Sequence, residues 1–206
     1  MLKKCVLMSL WLAGGAVAAE WQQGDIILQE GHGGQADMIK RASGSKWTHV
    51  GVVVKDKHGS VRVLEAVQPV KFTTVKAFVA RTKTFKILRL KNPVKMTPDI
   101  LKKAEAYVSK QVNKNYDIKF GWGDDKMYCS ELVWKCYNEI LGVELCKPRS
   151  YESYNLDDPL VRQAIHKRFG GRQNVPKNHK VVAPGDIATS ELLKDVTPSF
   201  KAKFKN

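Results

Sequence analysis

Asp124-Asp125-Lys126-Met127-Tyr128-Cys129-Ser130-Glu131-Leu132-Val133-Trp134-Lys135-Cys136-Tyr137 is the stretch on which the reading of the whole chain turns. From Cys129 onward Leu132, Val133, Cys136, Ile140 and Leu141 recur at helical spacing, and Gly142 follows as a stop. The pattern predicts a helix with one buried face and with Cys129 in its first turn, capped by Asp124 or Asp125. Backbone N–H groups without helical partners lie in that turn, at the positive end of the helix dipole. They favour a thiolate over a thiol and leave a donor for an oxyanion formed beside the sulfur. The position suits a nucleophile. It also suits a small packing residue, so the rest of the chain has to decide.

At 206 residues with 43% hydrophobic side chains, the composition is that of one folded domain. Residues 1–19 stand apart: Lys3 and Lys4 precede an apolar run from Val6 to Val17, and Ala16-Val17-Ala18 has the small-x-small form of a signal-peptidase site. The expectation is an exported protein, periplasmic or secreted, in which residues 20–206 form a single domain ending in a basic tail. Cys5 precedes the apolar run, so it is not a lipoprotein anchor, and no later stretch is long enough to span a bilayer. Of the 35 Lys and Arg, export removes Lys3 and Lys4, which leaves 33 against 20 acidic residues, a charge of +13. Such a charge draws the protein to an anionic envelope polymer or membrane surface. No nucleic acid partner is expected.

Cys129, Cys136 and Cys146 remain after export, an odd number for a compartment that oxidises thiols. Residues 129 and 136 lie two helical turns apart, roughly 10 Å at about 1.5 Å per residue, beyond the reach of a bridge at about 7 Å. Cys146 follows Gly142, where the chain can reverse onto the helix end. The expected disulfide is Cys136–Cys146 with Cys129 left free; three reduced thiols are the alternative.

Upstream, Gly24-Asp25-Ile26-Ile27-Leu28 reads as a turn into a strand, and Gln35 to Arg41 as a short helix. Trp47 to Val54 and Val61 to Val67 read as the two strands of a hairpin. If Lys57, His58 and Gly59 form a three-residue loop with Gly59 left-handed, Gly51 faces Glu65, and His49 and Glu65 share a face as diagonal neighbours. A two-residue turn would put them on opposite faces. Thr84 to Leu90 is a further strand and Thr97-Pro98-Asp99 a helix start. Asn115-Tyr116-Asp117 and Phe120-Gly121-Trp122-Gly123 make an aromatic, glycine-rich loop of the kind that lines clefts. Asp158-Pro159 opens a helix to about Phe169, Pro184-Gly185-Asp186 reads as a turn into a strand, and Lys194 to Asn206 as a mobile tail.

Gly24-Asp25-Ile26, Thr48-His49-Val50-Gly51, Leu64-Glu65-Ala66-Val67, Asn115-Tyr116-Asp117 and Tyr128-Cys129-Ser130-Glu131-Leu132-Val133 occur in one order over roughly Gln23 to Leu160. Together they resemble the YiiX-like branch of the NlpC-type papain-fold hydrolases. That branch is circularly permuted, so that its histidine precedes its cysteine. The resemblance implies an α+β fold, an antiparallel sheet or small barrel packed against the helix carrying the cysteine. It also implies the roles: Cys129 as nucleophile, His49 as the proton carrier, Glu65 as its orienting carboxylate. Tyr116 and Tyr128 are candidate substrate-binding groups. The family often has proline where this chain has Asn115, and the region beyond about Val161 has no counterpart in the resemblance.

The implied chemistry is acyl transfer to water. First among the readings is an exported cysteine amidase or peptidase acting on short peptides, such as peptidoglycan fragments. Second is a thiol enzyme of the same superfold that hydrolyses or transfers lipid acyl groups. Third is a non-catalytic basic module binding an envelope polymer. No cofactor is called for, and no His-x-x-x-His or Cys-x-x-Cys pair suggests a metal.

Overall fold

Alternating apolar residues build the centre of the molecule. The computed structural model describes residues 20–55, 58–176 and 178–200; residues 1–19, on which the expected signal peptide falls, Asp56 and Lys57 of the hairpin loop, Lys177 and the last six residues lie outside the described residues. In chain order the elements are β1 (Ile26–Gln29), α1 (Gly34–Ser43), β2 (His49–Lys55), β3 (Val61–Glu65), β4 (Lys71–Thr74), α2 (Val75–Val79), β5 (Phe85–Leu90) and α3 (Pro98–Gln111). They continue with β6 (Asn115–Tyr116), β7 (Lys126–Met127), α4 (Cys129–Leu141), β8 (Arg149–Ser150), α5 (Pro159–Phe169), β9 (Lys180–Val181), α6 (Pro184–Ala188), β10 (Leu193–Asp195) and α7 (Thr197–Phe200).

A six-stranded sheet in the order β10-β5-β1-β2-β3-β4 is antiparallel at every pairing. The fold is α+β, as expected. Because strand side chains alternate between faces, Ile26, Leu28, Val50, Val52 and Leu64 pack on Leu132, Val133 and Cys136 of α4. Ile27, Val53, Val63 and Ile87 pack on Phe78 of α2 and Phe200 of α7. The cysteine helix is thus pressed onto one face of the sheet by its own apolar stripe.

The hairpin register puts Gly51 opposite Glu65 and Lys55 opposite Val61; the expected loop of Lys57, His58 and Gly59 lies partly outside the described residues. Gly59 has φ 77°, left-handed. At Gly51 a β-carbon would lie 2.5 Å from Val63 and 3.1 Å from Phe78, so only glycine leaves the backbone room for the aromatic ring that supports His49.

Four expectations are corrected. Neither Asp124 nor Asp125 caps α4: Tyr128 is its N-cap residue, and the Glu131 carboxylate, three residues on, accepts from the Tyr128 N–H at 3.4 Å. Cys136 and Cys146 are both free. The Trp134 indole N–H donates to the Cys146 carbonyl at 2.7 Å, which draws the returning chain to the Trp134 side, about 200° around the helix from Cys136 at 3.6 residues per turn. Pro184 to Ala188 is a short helix, because the Asp186 carboxylate accepts from the Ala183 N–H at 2.7 Å and closes its first turn. The segment from Lys194 to Phe200 belongs to the fold: β10 joins the sheet beside β5, and Phe200 is fully buried against Trp21, ring centres 4.3 Å apart.

Candidate active site

Three elements bring their ends together. α4 presents Cys129 as its first residue, β2 presents His49 as its first, and β3 presents Glu65 as its last. His49 Nε2 lies 2.7 Å from Glu65 Oε2, and the other face of the imidazole's hydrogen bonding is to the Cys129 thiol. With Nε2 taken by the carboxylate, Nδ1 is the nitrogen left for sulfur. The ring stacks on Phe78 at 5.5 Å between centres. His49 and Glu65 share a sheet face, as the pairing of Gly51 with Glu65 requires.

Glu65 is fully buried, and its carboxylate is held by the side chains of His49, Thr73 and Arg81. Thr73 Oγ1 donates at 2.5 Å to Oε1, and Arg81 donates through Nη2 to Oε1 at 2.6 Å and through Nη1 to Oε2 at 2.8 Å. Burial alone would raise its pKa, but the hydrogen bonds from His49, Arg81 and Thr73 hold it down at about 2. Burial likewise works against a charged His49, yet its bonds to Cys129 and Glu65 and their charges raise it to about 9. Burial pushes the Cys129 thiol up; the His49 hydrogen bond and charge, the Val50 backbone and Ser130 outweigh it and hold the thiol below its ordinary range. The geometry therefore supports a thiolate–imidazolium pair resting on an anion that Arg81 neutralises.

The tyrosines take different places. β6 runs parallel to β7 and pairs Tyr116 with Met127, which sets the Tyr116 hydroxyl against Cys129, with Gln35 Nε2 donating to it at 3.0 Å. Tyr116 is thus in direct contact with the candidate nucleophile. Tyr128 is 1% exposed, its hydroxyl accepting from the Val182 N–H at 3.2 Å, and it forms part of a cavity wall. Asn115, where the family often has proline, accepts from the Gln68 side chain at 2.6 Å while Gln68 Oε1 accepts from the Tyr116 N–H at 2.7 Å. This pair of bonds fixes the loop.

Beside Cys129 opens a cavity of about 510 Å³ including its mouth. Met38 and Ile39 of α1, Phe120, Tyr151, Leu156, Val161 of α5 and Val181 line it. The segment beyond Val161 therefore has a function in the fold: it walls this space, and Ser130 Oγ donates to the Val182 carbonyl at 2.6 Å to seat that wall on α4. Sequence reasoning did not single out Thr73, Arg81, Gln35 or the cavity wall. Nothing in their spacing marks them; each reaches the site only through tertiary packing.

Residues 20–197 match the family described as "Permuted papain-like amidase enzyme, YaeF/YiiX, C92 family". The chain belongs to this family. Within the YaeF/YiiX family it is 30% identical over 196 residues to "Uncharacterized protein YiiX" of Escherichia coli (strain K12), covering 95% of this chain and 96% of that one. The crystal structure titled "metalloprotein yiiX from Escherichia coli O157:H7" aligns with TM-score 0.76 and 31% identity over 85% of this chain and 96% of that chain. That title concerns its own protein. Here, among the described residues, no three His, Cys, Asp or Glu side chains converge as a metal would need, and the buried Glu65 already faces the guanidinium of Arg81. The described residues do not fit a metal.

Proposed function

We propose that this family member is an exported thiol amidase that works through Cys129, His49 and Glu65, on amides whose acyl part is apolar. The observation that carries this reading is the continuous line of contacts from Cys129 through His49 and Glu65 to Arg81. The Cys129 thiolate attacks the carbonyl carbon. The Cys129 N–H, which as the first of the helix has no helical acceptor, and the Tyr116 hydroxyl are the donors available to the oxyanion. The C–N bond breaks, His49 gives its proton to the departing amine, and a thioester remains. A water then loses its proton to His49, attacks the thioester and releases the acid and the thiolate.

The cavity supports the choice of acyl group. Its apolar lining offers an aliphatic chain a matching wall and offers a polar wall peptide few partners. The same lining favours a second reading, hydrolysis or transfer of lipid acyl groups carried on oxygen. Comparing N-acyl 4-nitroanilides of increasing chain length tests the first: kcat/KM is expected to rise by up to about fourfold per methylene that enters the cavity. An acetyl substrate as good as an octanoyl one would overturn the apolar-acyl reading, and esters cleaved with amides untouched would favour the second.

Turnover needs Cys129 ionised and His49 protonated together. The rate is expected to rise with pH below the ordinary thiol value of 9.0 and to fall as pH rises through about 9, where His49 loses its proton. A pH profile of kcat/KM that simply climbs through 9 would contradict the pair. Export rests on the order of charged, apolar and small residues in 1–19. The natively expressed protein should begin near Ala19 or Glu20 by mass; an intact Met1 on the mature protein would remove this part of the proposal.

A further inference from the structure

α5 carries an arginine onto Phe120, one of the walls of the cavity beside Cys129. Arg168 is half-buried in the last turn of α5, its guanidinium 4.9 Å from the centre of the Phe120 ring, with Nη2 donating to Gln35 Oε1 at 3.3 Å. Gln35 passes its own donor to Tyr116, which touches Cys129. The guanidinium therefore stands one side-chain amide away from a group in contact with the nucleophile. Arg41, Arg81, Arg89, Arg149 and Arg172 each hold a carboxylate. Among the described residues none lies within ion-pair distance of Arg168. Asp117, whose charge it feels, turns its two oxygens to the N–H groups of Lys119 and Gly121 at 2.9 and 2.7 Å.

A guanidinium taken partly out of water beside a reactive cysteine, stacked on an aromatic ring and without a protein carboxylate, has donors left for a planar anion. Building on the amidase reading, we infer that Arg168 and Gln35 form an anion subsite beside the cavity. The substrate is then an acyl amide that carries a carboxylate a few bonds from its scissile carbonyl, as an N-acyl amino acid does. The apolar cavity takes the chain and Arg168 takes the carboxylate. The excess of basic residues over the whole chain favours the encounter with such an anion.

Alkylation of Cys129 tests this without requiring hydrolysis. N-Bromoacetylglycine and N-bromoacetylglycinamide differ only in charge, and both react by displacement: the thiolate forms the S–C bond as bromide leaves with the electron pair. The quantity read is the ratio of their second-order rates at Cys129, divided by the same ratio for glutathione. That ratio is expected to favour the anionic reagent in the wild-type protein and to fall about tenfold in Arg168→Gln, the loss of one charge-assisted hydrogen bond. Arg168→Lys, which keeps the charge, should retain most of it. An equal ratio in wild type and Arg168→Gln would overturn the subsite. Charge selectivity at Cys129 with no amide hydrolysed would uphold the subsite and defeat the amidase reading; amides hydrolysed with both charge types equally affected by Arg168→Gln would do the reverse.

Discussion

His49→Ala is expected to lower kcat/KM on an N-acyl anilide by at least about 10³-fold, and Cys129→Ala to leave only the background rate. The size follows from how much rests on the ring. Among the neighbours that hold the thiol down against its burial the imidazole acts most strongly, and with the ring gone burial would favour the protonated sulfur. The same substitution takes away the proton that the leaving amine needs. Steady-state kinetics on both variants checks this, with near-ultraviolet circular dichroism to show that the fold is retained. Full turnover in either variant would remove these residues from the mechanism.

Glu65→Gln should be nearly as damaging, with a loss in kcat of roughly 10²-fold to 10⁴-fold, the range set by orienting carboxylates that hold a catalytic histidine. An amide of the same shape still has one acceptor oxygen, but its NH₂ must face either His49 or Arg81, both of which are donors to Glu65. Breaking a buried pair in this way also costs about 3 kcal/mol of stability, which thermal unfolding would register. The sign with pH follows from the lowered pKa. Glu65 contributes stability that is present above its ordinary 4.5 and is lost as pH falls through about 2. Glu65→Gln should therefore flatten the acid limb of the wild-type stability curve; a variant with wild-type kcat and an unchanged acid limb would make Glu65 a bystander.

Local rules carried the reading furthest where the chemistry is local. The 3.6-residue recurrence after Cys129 located the helix and put sulfur at its start, and Gly59 in its left-handed turn determined the phase that puts His49 and Glu65 on one face. Thr97 and Asp158 before prolines marked two helix starts correctly. Contacts made across the fold were not legible. Arg81 lies just beyond the short helix α2, and its role appears only when that helix packs beside β3. Arg168 is one of several basic residues on α5, distinguished only by lying over Phe120. Phe200 stands among lysines, which conceals that it fills the sheet's second face. The Cys136–Cys146 pairing failed on rotation about the helix, a property that distance along the axis does not contain.

The central claim is that Cys129 carries the acyl group between two half-reactions. Rapid acid quench of the protein with a 4-nitrophenyl acyl ester, which acylates faster than an amide, followed by peptide mapping, measures this directly. The account predicts one acyl mass per protein on the peptide containing Cys129, lost on treatment with hydroxylamine and absent from His49→Ala. An acyl group on any other residue, or turnover with Cys129 unmodified throughout, would contradict it.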